Sequence, residues 1–252
     1  MKTIWILNHH AVTPEHGGGT RHFNFAKELV IRGYRVYVFA SSHLHNTNIN
    51  VLSENERYRI ETIDGISWVW VRTKQYSGNG LNRIISMIDY YRFMTNSFRI
   101  FEKPDVIIGS SVHPLACLAG IKIARKVKAR SISEIRDLLH QSLVDMGKMS
   151  KNSILAKVLY RLEKYIYQKS EAIIVTVPGM IDYITTLAGI SNTKITYINN
   201  GVDIKKYDEN KMGNDSRVVQ IVEDNAGKIK CLYTGAIGFG NHIDNIVHSA
   251  EL

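Results

Sequence analysis

Short runs rich in Val and Ile alternate along the chain with longer stretches whose apolar residues recur every three or four positions. The short runs are Thr3–Leu7, Val36–Phe39, Ser67–Val71, Val106–Ile108, Arg130–Ser133, Ala172–Val175, Ile195–Ile198 and Ile229–Tyr233. Bounded by polar turns, they read as strands buried on both faces, the habit of parallel sheets. The periodic stretches are Arg21–Arg32, Asn82–Phe101, Pro114–Lys128, Ser153–Lys169 and Gly179–Leu187, and their spacing predicts helices. Strand and helix in alternation predict an α/β domain around a parallel sheet. Tyr58–Val71, with Asp64-Gly65 at its centre, reads as a β-hairpin.

The alternation breaks down at residues 209–228, where "ENKMGNDSRVVQIVEDNAGK" is polar and rich in turn formers. This reads as a linker region with one short helix, Val218–Glu223. One strand, a glycine-containing loop and one helical stretch follow. A lone βα unit cannot cover both faces of its strand, so residues 1–205 are expected to form a first domain, 206–228 a linker region, and 229–252 the opening of an incomplete second domain.

Charge is unevenly spread. The chain carries a formal net charge of +9 over 252 residues. Residues 1–200 hold 26 Lys and Arg against 15 Asp and Glu, whereas residues 201–252 hold 6 against 8. A basic body suits an anionic partner, although an ordinary basic protein has the same composition. The two cysteines, Cys117 and Cys231, sit in apolar patterns and read as reduced core thiols, which suits a cytoplasmic protein. The run Ile4–Leu7 is too short for the apolar core of a signal peptide. No apolar run approaches the roughly 20 residues needed to cross a bilayer.

Three stretches carry candidate chemistry. Gly17, Gly18 and Gly19 lie between the first strand and the first helix. Glycines there let an anion approach the unpaired amides of a helix start, or else they form a flexible turn. A dinucleotide fingerprint fits poorly, because a long loop separates strand from glycines and the second strand runs into Ala40, Ser41 and Ser42 without an acidic residue. Glu134, Arg136 and Asp137 stand where a parallel strand should end, the edge at which open α/β sheets bind ligands, though Glu134 could simply hold Arg136. Asn200-Gly201 is a turn signal after a strand.

The order of these stretches, from "GGGTRHFNFAKELVIRGYRVYVFA" through "PDVIIGSSVHP", "SEIRDL", "LEKYIYQKSEAIIVTVPGM" and "ITYINNGVDIKKYD" to "LYTGAIGFGNHIDNIVHSAEL", resembles the family-4 retaining glycosyltransferases of GT-B fold, particularly bacterial enzymes that build surface polysaccharides. The resemblance implies two Rossmann-like domains, the first binding an acceptor and the second a nucleotide-sugar donor. It assigns Gly17, Gly18, Gly19 and Arg21, with Gly235, Gly238 and Gly240, to the donor-phosphate side of the cleft. It assigns Glu134, Arg136 and Asp137 to the catalytic region beside the acceptor, where many relatives carry a histidine. His10 and His113 become cleft candidates, His113 equally a helix-start residue before Pro114. Asn200, Gly201 and Asp203 match the turn that ends the first domain, with Asn199 in place of the usual proline. The family's paired glutamates, spaced E-x7-E, belong far into the C-terminal domain, past the residues given, so the chain by itself is expected not to turn over.

The implied reaction breaks the bond between an anomeric carbon and a nucleoside diphosphate, with retention at that carbon. Amides at helix starts and basic side chains would stabilise the departing charge. No metal and no other cofactor is expected, while Asp137 or Glu134 could orient the acceptor hydroxyl. The stretch 147–171 mixes Lys148, Lys151, Lys157, Arg161, Lys164 and Lys169 with a helical apolar stripe. It can lie on an anionic membrane or bury its stripe against the sheet, and the loop Leu138–Met149 is the better candidate for lipid contact. The expected partners are therefore a nucleotide-sugar, a lipid-linked sugar acceptor and the inner face of the plasma membrane, with no nucleic acid. Two other classes stay open: a non-enzymatic basic module for membrane or nucleic acid, and a nucleotide-sugar epimerase of related shape.

Overall fold

The computed structural model describes residues 1–249 except 18–19, 46, 79, 112, 210–214 and 236–242, and also omits the side chains of residues 139 and 206. The chain divides into two compact units, Met1–Gly201 and Val202–Leu252.

In the first unit the elements run β1 (Thr3–Leu7), α1 (Arg21–Ile31), β2 (Arg35–Ser41), β3 (Tyr58–Ile63), β4 (Ile66–Val71), α2 (Leu81–Ser97), β5 (Val106–Ser111), α3 (Pro114–Val127), β6 (Arg130–Ile135), α4 (Leu139–Asp145), α5 (Ile154–Lys169), β7 (Ala172–Val175), α6 (Met180–Ala188) and β8 (Ile195–Tyr197). All eight strands join one sheet in the order β3-β4-β2-β1-β5-β6-β7-β8. Every pairing is parallel except β3 with β4. That pair is the expected hairpin: Asp64 at φ 49° and Gly65 at φ 77° both take the left-handed conformation that a tight two-residue turn demands.

The expected helices and strands of residues 1–200 all form, with small shifts at their ends. The strands are continuous apolar runs because both faces are covered. Along β1, Ile4 and Ile6 pack with Phe23 and Ala26 of α1, while Trp5 and Leu7 pack with Tyr90 and Met94 of α2 and with α3. A third cluster joins α3, α5 and α6 over β7, from Ile121 and Tyr167 to Ile184. This is the Rossmann-like α/β arrangement that the alternation predicts. The segment expected as a loop after β6 instead contains the short helix α4.

The second unit contains α7 (Ile204–Glu209), α8 (Ser216–Asp224) and α9 (Ile243–Ser249). Here a sequence expectation fails among the described residues. Ile229–Tyr233 forms no strand, and Ile229 and Leu232 are 96% and 88% exposed. A strand needs a neighbour for its backbone groups, and no other described segment of 202–252 is extended. Cys231, expected in a core, is consequently exposed, whereas Cys117 is buried with its thiol donating to the Gly109 carbonyl at 3.1 Å. Burial pushes the Cys117 thiol up to about 12, so it stays protonated.

The approach of α3 to β5 depends on Gly109. A Cβ there would sit 2.7 Å from Cys117 Cα and 3.0 Å from the Ala116 carbonyl oxygen, both backbone atoms that cannot swing aside. Gly109→Ala is expected to cost about 1–3 kcal/mol through overpacking, read as a lower urea midpoint at unchanged slope. An unchanged midpoint would show that helix and strand can separate freely.

Candidate active site

The strand order reverses between β1 and β5. From β1 the chain builds outward to β2 and β4; from β5 it builds the other way, to β6, β7 and β8. The loops leaving β1 and β5 therefore diverge and leave a crevice at the carboxyl edge, the place where open α/β sheets bind ligands. His9 and His10 follow β1 and His113 follows β5, so the topology itself brings three histidines to that crevice. The β1 loop is held in place by backbone bonds to β2: Asn8 N–H donates to the Phe39 carbonyl at 3.1 Å, and Ser41 N–H donates to the His9 carbonyl at 3.0 Å.

The histidine rings contact one another directly. Ring centroids of His9 and His113 are 4.9 Å apart and those of His9 and His10 are 4.7 Å apart. His10 stacks on His45 at 4.3 Å and 8°. His9 Nε2 lies 3.1 Å from Ser86 Oγ, and the Tyr76 hydroxyl lies 2.8 Å from His45 Nδ1 and 3.3 Å from His10 Nε2. Burial, then the neighbouring rings His45 and His113 and the guanidinium of Arg83, lower the His10 pKa to about 2. His113 is lowered to about 3 by burial and by Arg83. His9 is lowered well below its ordinary value by burial and then by His113 and His10. At neutral pH these rings are uncharged and able to accept as well as donate hydrogen bonds. Both ring nitrogens of His113 are buried without a protein partner among the described residues. A small cavity of about 30 Å³ lies beside that ring, between Ser111, Asp137, His140 and Glu163, with room for a water or one small polar group.

Next to the crevice a second set of residues converges on Glu134, which is 1% exposed at the end of β6. Its Oε1 accepts from Arg21 Nε at 2.9 Å, and its Oε2 accepts from His22 Nε2 and from Ser110 Oγ, each at 2.6 Å. Parallel register explains the serine, since Ser110 of β5 stands opposite Glu134 of β6. The hydrogen bonds also fix the histidine tautomer. Asn8 Oδ1 takes the His10 backbone N–H at 3.0 Å, so Asn8 Nδ2 donates to His22 Nδ1 at 2.8 Å, which leaves the His22 proton on Nε2. Burial raises the Glu134 pKa, but the bonds from His22 and Ser110 and the charge of Arg21 outweigh it and hold the group at about 2. Arg21 also donates to the carbonyls of Ile198 at 2.9 Å and Asn199 at 2.6 Å, and to Asn200 Oδ1 at 3.2 Å.

The other sequence candidates are distributed differently. Asp137 is exposed and borders the His113 cavity. Arg136 does not pair with Glu134, whose oxygens are taken by Arg21, His22 and Ser110; its backbone N–H donates to Ser111 Oγ at 3.2 Å and its carbonyl accepts from Thr176. Gly17, at φ 67°, turns its N–H back to the Pro14 carbonyl at 3.3 Å, so that amide is not offered to a ligand. Gly18, Gly19, Gly238 and Gly240 lie outside the described residues. Asn200 and Gly201 close the first unit, while Asp203 and Gly235 belong to the second. His22, Asn8, Ser110, His9 and His45 escaped the sequence reading. The His9-His10 doublet closing the first strand and the Arg21-His22 pair opening the first helix were the available signals.

A doubly wound half-sheet with its ligand edge built at the β1/β5 reversal is the first domain of a GT-B fold. The Glycosyltransferase Family 4 profile matches residues 16–206, and the chain belongs to that family of transferases. Among solved structures, sucrose-phosphate synthase from Thermosynechococcus elongatus is similar in fold, with TM-score 0.55 and 11% identity over 87% of this chain and 99% of that one. Arabidopsis thaliana UGT89C1, complexed with UDP-L-rhamnose, gives TM-score 0.50 and 14% identity over 90% of this chain and 55% of its own. A glycosyltransferase from Rickettsia africae gives TM-score 0.46 and 13% identity over 91% of this chain and 50% of its own. The chain thus spans about half the length of the latter two. No curated protein matches the sequence.

Replacing Glu134 tests the buried network. A carboxyl whose folded pKa lies below its ordinary 4.5, here at about 2, contributes stability that is present above pH 4.5 and lost as pH falls toward 2. Glu134→Gln leaves Arg21 buried without its carboxylate and is expected to cost on the order of 3–5 kcal/mol at pH 7. The gap to the wild type should narrow steadily below pH 4.5 in urea unfolding. A gap of the same size at pH 7 and pH 3 would place the effect elsewhere.

Proposed function

We propose that this chain carries the acceptor-binding domain of a retaining glycosyltransferase, which moves a sugar from a nucleotide-sugar to a lipid-linked or polysaccharide acceptor in cell-surface polysaccharide synthesis. The observation that carries the reading is the β1/β5 crevice, lined by uncharged histidines beside a fixed Arg21–Glu134 pair. An acceptor hydroxyl needs a hydrogen-bond acceptor to orient it and a site dry enough to exclude competing water. His113, buried with neither ring nitrogen partnered among the described residues, supplies such a group, and His10 stands 6.3 Å away centroid to centroid. Asp137, exposed at the rim of the same cavity, is the carboxylate free to meet the hydroxyl.

Glu134 takes a different part in this reading. Held near pKa 2 by three donors, it does not accept a proton near neutral pH and acts by positioning Arg21 and His22. The N-terminus of α1 carries no side-chain cap, and the partial positive charge there favours an anion nearby. Gly235 and Gly238 would belong to the donor side. The reaction itself needs electrostatic stabilisation of the departing diphosphate, and no metal is assigned to it.

The acceptor's lipid carrier gives the membrane reading its place. No helix among the described residues is long and apolar enough to cross a membrane. The first turns of α5 nevertheless expose Ile154 at 84%, Leu155 at 61% and Val158 at 51%, beside the exposed Lys151 and Lys157. Leu81 at the start of α2 is 78% exposed. Both helices begin at the carboxyl edge, so apolar steps flanked by cations stand on the side of the sheet that carries the site. We infer peripheral docking on the anionic cytoplasmic leaflet through these turns.

Because the chain by itself is expected not to turn over, transfer is tested with a polypeptide that joins it to a donor-binding domain, using radiolabelled UDP- and GDP-sugars and a polyprenyl-diphosphate-linked sugar. The expected result is label in the lipid product with the donor's anomeric configuration, reduced about 100-fold or more by His113→Ala. An inverted product, or transfer indifferent to His113, overturns the reading. In vesicle co-sedimentation, binding is expected only with anionic lipid and is expected to fall when Ile154 and Leu155 become Asp. Equal pelleting on neutral vesicles removes the membrane assignment.

A further inference from the structure

Away from the histidine crevice, a groove of about 890 Å³ opens between the segments flanking the β3–β4 hairpin and the outer face of α2. Its size is at the upper end for a small-molecule site and suits an extended ligand better than a single ring. Four cations line it: Arg57 before β3, Arg72 and Lys74 after β4, and Arg92 on α2. The two carboxylates on the same wall, Glu54 and Asp89, leave an excess of positive charge, and Asp89 is already accepting the backbone N–H of Lys74 at 3.1 Å.

None of the four cations is ion-paired with a carboxylate among the described residues. Arg72 is turned to the carbonyls of Ser53 and Glu56, which fix its guanidinium without neutralising it. Arg57, Lys74 and Arg92 are exposed. Four like charges gathered around one concavity repel one another and are relieved by an anion. The rest of the wall suits carbohydrate: side-chain amides such as Gln75 and Asn96 can bond paired hydroxyls, and Phe93 offers a half-buried aromatic surface.

We propose that this groove binds an acidic glycan, a chain of sugar rings carrying carboxylates, as the extended part of the acceptor. The cations come from three separate chain segments, which suits charges repeated along a polymer. The groove wall is joined to the histidine site through buried hydrogen bonds: Thr73 lines it and accepts from Ser86 Oγ at 2.9 Å, and Ser86 in turn lies 3.1 Å from His9 Nε2. The use made of the bound chain rests on the transferase reading; the binding itself does not.

The test is calorimetric titration of the whole chain with hexagalacturonate, with a neutral glucose hexamer of equal length, and with inorganic phosphate at matched ionic strength. The acidic hexamer is expected to bind at least 10-fold more tightly than the neutral one and to weaken as salt rises. The double variant Arg57→Ala/Arg92→Ala, which removes exposed side chains and should keep the wild-type melting temperature, is expected to lose that 10-fold preference. Binding should survive His113→Ala, so a failure of catalysis and a failure of this groove give different results. Equal affinity for both hexamers, affinity indifferent to the double variant, or displacement by phosphate at equal charge would each overturn the proposal, the last by making the groove a phosphate site.

Discussion

Glu134 is the constraint on which the carboxyl edge depends. A carboxylate removed from water is costly unless every lone pair is engaged, and breaking one partner of a buried pair costs more than the pair contributes. Here Arg21, His22 and Ser110 satisfy it from two different elements, α1 and β5. Helix α1 can therefore dock in only one rotation, because its first two residues must both reach the same carboxyl group. That docking sets His22, His22 sets Asn8, and Asn8 sets the backbone of His10. One buried charge thus fixes the loop that walls the crevice.

The crevice complements this charged anchor with neutral chemistry. Burial, with neighbouring rings for His9 and His10 and the Arg83 guanidinium for all three, keeps His9, His10 and His113 unprotonated, so the rings offer hydrogen bonds without charge of their own. Separating the two has a physical advantage. The fixed charges are fully engaged and hold their neighbours in place, while the uncharged groups keep unused valences for a ligand, as His113 does with both ring nitrogens. The basic groove beyond α2 adds a third environment, exposed and cationic, which a long substrate can meet without disturbing the other two.

The sheet was legible because its strands are long apolar runs and its turns carry distinctive residues; Asp64-Gly65 located the hairpin. Strand order was beyond the sequence, and with it the meeting of His10 and His113. Glu134 stood out as a charged residue at a strand end, but the guess that it holds Arg136 failed for a geometric reason. Arg136 lies past the end of β6, whereas Glu134, still in the strand, turns to the face covered by α1 and finds Arg21 there. Ile229–Tyr233 misled because apolar alternation describes a strand only when a neighbour exists to pair with it. Glu163, one acid in a basic helix, is buried and accepts from the Tyr183 hydroxyl, a pairing that no sequence pattern signalled.

Arg21 has a further consequence for how the protein is made. Its guanidinium reaches Ile198, Asn199 and Asn200, contacts separated by 177 to 179 positions along the chain. A ribosome emitting the chain from its N-terminus releases α1 early and the three acceptors only with the last residues of the first unit. Until those emerge, the nascent unit holds a cation whose final acceptors are missing. Its closing step joins residues far apart in the chain, the kind of contact that slows folding because a long loop must be ordered first.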